Sequence, residues 1–429
     1  MKLNNKLLFL ALPMLALTAC SGASAKGEDA SADLSGEGEW FGGHTDVDGY
    51  VPGGDYDYAG EAVGGGEATP GEGEEEKNEE EEQVKVPAGQ LTCSALDDNA
   101  HYPFWKSLMT STQEGKGPFQ QYYEDFEFKT KNRLELTINN GNNVSVQIKN
   151  DANSTLVDNF HKAYLFPKEE LEEYSVTISY IDKNNAEQSV EKIVKDGDTI
   201  DLENEFTLSN NLQIMFVIDA TGSMGDEITY LKAEIDDVIE RVSKKNEQAH
   251  IELAIMIYRD DGDRVPYQYS NFTTDIAKQQ AFLQKQYADG GGDFEEAVQM
   301  AMTKAMEQQW SNNATKLLFH VADAPSHDKD VKVWNNKVLE AACKGIKIIP
   351  VASSGIDKKT EYFFRSEAII TGGQYVYLTN HSGIGGDHLE ATVEEELVVE
   401  YLNSCLVRLI DGYFTGEMAN PISYVQDQQ

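Results

Sequence analysis

Two periods of apolar residues divide the chain. From residue 211 onward, short apolar runs alternate with stretches that repeat at helical spacing. The run at 212–218 is that of a strand buried on both faces of a parallel sheet. Ile228, Leu231, Ile235, Val238, Ile239 and Val242 then recur along one helical face. Residues 251–258, 317–322, 346–352 and 375–378 read as further strands, with helical patterns near 274–286, 294–309, 330–344 and 394–410. Strands alternating with helices predict an α/β fold, a doubly wound and mostly parallel sheet spanning 208–412, with 413–429 as a tail. A stretch of that length is ample for one independent core.

Between 91 and 207 the period is two. After an aromatic lead-in containing Tyr102, Phe104, Trp105, Phe119, Tyr122 and Tyr123, Leu134, Leu136 and Ile138 alternate with polar residues, as do Val144, Val146 and Ile148. The Asn-Asn-Gly-Asn-Asn stretch at 139–143 has the composition of a turn closing a hairpin between them. Val176, Ile178 and Tyr180 repeat the alternation. The expectation is a small antiparallel β sandwich that serves as a spacer, since it shows no clustered catalytic residues.

The beginning of the chain has neither period. Lys2 and Lys6 precede an apolar run from Leu7 to Leu17, too short to span a bilayer. That is the pattern of a secretory signal peptide covering 1–19. Leu17-Thr18-Ala19-Cys20 resembles a lipobox, which implies acylation of Cys20 and anchorage to a membrane through that lipid. Ser21 after the cysteine resembles lipoproteins sorted to the outer membrane, with the surface-exposed and periplasmic orientations both open. Residues 20–90 read as a disordered acidic linker: between Glu28 and Glu82 there are 19 acids, and Lys77 is the one Lys or Arg.

The formal charge of −39 excludes nucleic acid as a partner, because its phosphates call for clustered Lys and Arg. Cys93, Cys343 and Cys405 allow three possible pairs, among which the sequence does not choose. Their spacing is not that of a zinc site.

Two predicted strands end in aspartate, at Asp219 and Asp323. In open α/β sheets ligands bind beyond the carboxyl ends of strands where strand order reverses, so these carboxylates converge if the two strands are neighbours. Thr221 and Ser223 place two hydroxyls in the turn after Asp219. Carboxylates, hydroxyls and water are the ligands of a hard divalent cation such as Mg2+. A glycine loop at 289–296 brings a further carboxylate, Asp293. Asp293 and Glu296 also have the spacing of a helix-start box. Asp226 and Glu227 follow Ser223, as ligands of a second cation or as acids at a helix start. Asp260, Asp261 and Asp263 read as an acidic turn on the same rim, with His327 and Asp328 near it.

The Asp-x-Thr-x-Ser spacing at 219–223, the glycine loop and the strand-ending Asp323 resemble the metal-ion-dependent adhesion site of von Willebrand factor type A domains. The resemblance covers about half of the chain. It implies the type A fold, with Asp219, Thr221, Ser223 and Asp323 as direct or water-mediated metal ligands. It also implies a cation whose open position accepts an acidic residue of a protein partner. Many such domains have threonine where this chain has Asp293. A third carboxylate makes the cation less electron-poor, so Mn2+ and Ca2+ join Mg2+ as candidate occupants. Asp226 and Glu227 stand at the spacing of an adjacent regulatory cation site.

The expectation is a non-enzymatic binding lipoprotein of the cell envelope. A structural lipoprotein whose cation stabilises the fold is the alternative, and a metal-dependent hydrolase is a third class. Against the last, the sequence has no HExxH, GxSxG or Walker motif.

Overall fold

The computed structural model describes residues 86–427, apart from 112–114, 127, 152 and 204. The expected signal peptide, the acylation of Cys20 and most of the acidic linker therefore lie outside the described residues.

Eight strands form one sheet. Their order is Tyr267–Thr273, His250–Tyr258, Asn211–Asp219, Thr315–Ala322, Ile346–Ala352, Tyr375–Leu378, Thr92–Leu96 and Glu400–Tyr401. The five strands from His250–Tyr258 through Tyr375–Leu378 are parallel. From Asn211–Asp219 the chain moves first to one side, for His250–Tyr258, and later to the other, for Thr315–Ala322. Strand order thus reverses beside Asp219, where two parallel carboxyl ends diverge and leave a crevice.

The parallel strands are apolar on both faces because helices cover both. Helices Ile228–Lys245, Ile276–Gln284 and Leu402–Thr415 pack on one face around Phe216, Phe319 and Leu406. Val298–Met306, Val331–Lys344 and Lys358–Thr371 pack on the other around Trp334, Phe363 and Met215. The sequence patterns near 274–286 and 330–344 correspond to helices. The pattern at 294–309 shrinks to Val298–Met306, and that at 394–410 shifts to Leu402–Thr415. Lys358–Thr371 has no counterpart in the pattern: its residues from Thr360 to Thr371 are all buried, so no polar face marks a helical period.

The segment expected to open a separate β region belongs largely to the α/β unit. Thr92–Leu96 pairs with Tyr375–Leu378 and Glu400–Tyr401 inside the large sheet. Trp105, Phe119 and Phe128 are completely buried, against Tyr362, Phe363 and Trp334. Arg365, fully buried, donates to both oxygens of Asp98 at 2.9 and 2.6 Å and to Glu361 at 3.0 Å. The aromatic lead-in is therefore a clamp on the helix Lys358–Thr371.

The strand-rich region begins at Leu134 and has two small sheets. One orders Lys162–Leu165, Leu134–Asn139 and Thr199–Asp201; the other orders Ser154–Leu156, Asn142–Ile148, Tyr174–Ile181 and Glu187–Val194. The expected hairpin is not formed, because Leu134–Asn139 and Asn142–Ile148 lie in different sheets. Their buried residues, Leu134, Leu136, Ile138, Val144, Val146 and Ile148, share one core. The turn hands the chain from sheet to sheet through Asn140, Gly141 and Asn143, all at positive φ. A Cβ at Gly141 would stand 2.8 Å from Val144 Cγ2. The sandwich is also not wholly antiparallel, since Leu134–Asn139 and Thr199–Asp201 run parallel.

Candidate metal centre

Asp219 ends its strand in register with Tyr258 of the neighbouring strand, and its side chain is completely buried. Its Oδ1 accepts the backbone N–H of Thr221 at 2.8 Å and the Thr221 hydroxyl at 2.7 Å. Thr221 Oγ1 lies 3.2 Å from the hydroxyl of Ser223, which is near enough to Asp323 to favour its charged form. The turn thus lines up two hydroxyls between two strand-ending carboxylates. The chain continues through a short 3-10 turn, Gly222–Asp226, into the helix Ile228–Lys245.

The glycine loop seals the crevice from the side. Asp289 donates its N–H to Ala220 O at 2.9 Å, and Gly222 donates to Gly290 O at 3.2 Å. Gly290 and Gly291 both have positive φ. Gly291 N–H donates to Asp263 Oδ2 at 3.0 Å, and a Cβ on Gly290 would fall 2.3 Å from Asp263 Oδ1, so no side chain fits there.

The buried carboxylate of this loop is Glu296. Glu296 is 3% exposed and its backbone N–H bonds Pro325 O at 2.9 Å, which pins it beside the strand end that carries Asp323. Asp293 is exposed. The helix starts at Val298 with Ala297 as its cap, so Asp293 does not cap it either. The Asp-x-x-Glu spacing is real, but its buried member is the second acid. The signal in the sequence is that Glu296 leads directly into the apolar Ala297-Val298.

Asp219, Asp323 and Glu296 are near enough for the charge of one to act on another. Burial pushes the Asp219 and Asp323 carboxyls up, and the charge of Asp219 adds to the effect on Asp323. Glu296 is pushed from 4.5 to about 9 by burial and by the charges of Asp219, Asp260, Asp323 and Asp263. One oxygen of each, Asp219 Oδ2, Asp323 Oδ1 and Glu296 Oε2, is buried without a hydrogen-bond partner. Buried polar atoms are nearly always satisfied, and like charges so close raise one another's energy. Orphaned carboxylate oxygens and hydroxyls are donors of the kind that a hard divalent cation takes, so the chemistry of these residues suits one.

Beneath the site runs a polar chain invisible in the sequence pattern. Tyr258 lies beside Asp219, its hydroxyl is 3.1 Å from His320 Nε2, and His320 Nδ1 is 3.1 Å from Glu367 Oε1. All four side chains are fully buried. Such support fixes the orientation of a ligating carboxylate.

The remaining acids have other tasks. Asp226 is exposed. Glu227 is buried and accepts the N–H of Ser354 at 3.2 Å and the ring of His388 at 2.9 Å. The expected second-cation pair is therefore not brought together: one acid faces solvent and the other is tied to the 380–388 loop. Asp260 Oδ1 is 2.9 Å from His327 Nε2, and Asp260, Asp261 and His327 each bring one ligand atom within 4.8 Å of the others. Asp328 pairs with Lys359.

Residues 213–388 match the von Willebrand factor A domain family. The chain is also similar to an alpha-protein kinase of Dictyostelium discoideum, 26% identical over 184 residues, which is 42% of this chain and 29% of that protein. A putative ariadne-like RING finger protein of Acanthamoeba polyphaga mimivirus is 25% identical over 185 residues, 39% of this chain and 18% of the relative. The chain thus spans less than a third of the length of these curated relatives.

Proposed function

We propose that the von Willebrand factor A domain at residues 213–388 binds a protein partner through a divalent cation held by Asp219, Thr221, Ser223, Asp323 and Glu296. Domains of this family commonly mediate protein–protein binding. The observation that carries the reading is the set of three buried carboxylate oxygens without partners, on Asp219, Asp323 and Glu296, at the switch point of the sheet. A bound Mg2+, Mn2+ or Ca2+ would offer an open coordination position to an acidic residue of the partner. Asp219 is oriented by the backbone and hydroxyl of Thr221, so its free oxygen is held in place before binding. Ser223 is exposed at the mouth, where a partner side chain enters.

The names of the two relatives describe proteins of which this chain matches a minor part. They supply no reason to assign kinase or ubiquitin-transfer chemistry here. We infer a non-enzymatic module, held at the cell envelope through the lipid on Cys20 that the lipobox resemblance implies. Protease accessibility on intact cells separates a surface-exposed outer-membrane orientation from a periplasmic one.

A specific observation also favours a stabilising role for the cation, since the buried acids repel one another in its absence. The test is capture of envelope proteins on the immobilised chain, with Mg2+ or with chelator, beside Asp219→Ala. Chelator-sensitive capture with unchanged circular dichroism supports the binding module. Unfolding on chelation supports the structural role. Capture indifferent to both chelator and substitution contradicts a cation-mediated partner site.

A further inference from the structure

Cys93 is in the strand Thr92–Leu96 and Cys405 is in the first turn of the helix Leu402–Thr415. They are 312 positions apart in sequence, yet their side chains meet. Both are completely buried, and the two thiols hydrogen-bond each other. The strand of Cys93 is paired on one side with Glu400–Tyr401, the two residues from which the helix of Cys405 springs. Cys93 is opposite Glu400 in that register, and Arg408 bonds Glu400 at 3.0 Å while reaching 3.6 Å from Cys405 Sγ. The sulfurs are therefore held together from both sides by backbone pairing and an ion pair.

We propose that Cys93 and Cys405 are a disulfide site, closed by a small-molecule disulfide as oxidant, that staples the first strand of the described fold to its last long helix. The two thiols lose two protons and two electrons, and the sulfur–sulfur bond forms between them. The oxidant's own disulfide is cleaved and leaves as two thiols. The reaction passes through a mixed disulfide on one cysteine, which the thiolate of the other displaces.

Burial pushes the Cys93 thiol well up, so the closed fold protects the reduced pair from attack. Oxidation accordingly takes place during folding, or when the short pairing of Thr92 and Cys93 with Tyr401 and Glu400 opens. Once closed, the bond is shielded from reductants by the same burial. The consequence is mechanical. The chain enters the sheet at Thr92–Leu96 after Gly89, Gln90 and Leu91 have donated their N–H groups to Glu234, so a pull from the N-terminal side loads those bonds and then this strand. A bond to Cys405 transfers the load to the helix, which packs along Ile228–Lys245 behind the candidate metal centre.

The test is refolding of the full chain with oxidised and reduced glutathione or with dithiothreitol, followed by alkylation and non-reducing peptide mass spectrometry. A Cys93–Cys405 cross-linked peptide is expected from the glutathione sample only. It should accompany a thermal midpoint about 5 °C or more above the reduced protein, a shift expected for closing so long a loop. In Cys93→Ser and in Cys405→Ser the cross-link should vanish and the redox-dependent shift should shrink to the part that the Cys343 disulfide contributes. Recovery of both cysteines fully alkylated after oxidative refolding overturns the proposal. So does a cross-link that joins either of them to a different cysteine.

Discussion

Glu227 and His388 meet at 2.9 Å, and the contact fastens the loop at 380–388 to the root of the helix that follows the candidate metal centre. His388 is 7% exposed and its other ring nitrogen is 3.0 Å from Asn380 Oδ1. Gly385 passes so close that a Cβ there would stand 2.1 Å from Glu227 Oε1. His388→Ala leaves the Glu227 carboxylate buried with the Ser354 N–H as its remaining partner. The expected cost is about 1–3 kcal/mol in urea unfolding. The cation stoichiometry should stay unchanged, whereas loss of a second bound cation in this variant would restore Glu227 as a ligand.

The assignment of the third carboxylate is separable by substitution. Glu296→Gln removes a buried charge at the site and should weaken Mg2+ or Mn2+ binding at least ~10-fold, the scale on which metal-site partners act. Asp293→Asn, at an exposed position, should change it less than about twofold. Titration calorimetry on both variants decides, and the reverse ranking would return Asp293 to the site.

The pH dependence follows from the same residue. An unfolded Glu296 ionises near 4.5, and the folded one near 9 without a cation. A raised carboxyl leaves stability intact below 4.5 and erodes it as pH climbs through that window towards 9. In chelator, wild type and Glu296→Gln should therefore be equally stable near pH 4.5, with wild type falling progressively behind by pH 8.5. Excess Mg2+ should abolish or invert that gap, because the cation replaces the proton. Thermal midpoints at several pH values measure it, and parallel profiles in chelator would refute the raised carboxyl.

The N-terminal clamp predicts where the domain can be cut. Arg365→Ala leaves Asp98 buried without its ion-pair partner, while Glu361 keeps Lys358 and the Thr392 N–H, at an expected cost of about 3–5 kcal/mol in denaturant unfolding. A chain starting at 208 lacks Thr92–Leu96, Trp105, Phe119 and Phe128, and should expose apolar surface that binds a hydrophobic dye. A cooperative, dye-silent unfolding of that fragment would show that the segment is dispensable.

What the sequence revealed follows from which signals are local. The run at 212–218, the Asp-x-Thr-x-Ser turn and the strand-ending Asp323 were legible because each is written in consecutive residues. Thr92–Leu96 was not, since five residues carry too short a period to assign to a sheet that they join across nearly 280 positions of chain. The hairpin at 139–143 misled because two strands facing one core from opposite sheets show the same alternation as two strands of one sheet. Glu296 was hidden behind Asp293 by a capping pattern that fits both readings. Tyr258, His320 and Glu367 come from three separate elements, so nothing short of the fold brings them under Asp219.

Calorimetric titration of Mg2+ and Mn2+ into the full chain and into Asp219→Ala, with circular dichroism on both, measures whether a cation binds at this turn. Asp219 is the carboxylate of the Asp-x-Thr-x-Ser turn and has a buried oxygen without a partner. Saturable cation binding is expected in the wild type and its loss in the variant, with the α/β spectrum unchanged. Undiminished binding in a folded Asp219→Ala would contradict the cation site.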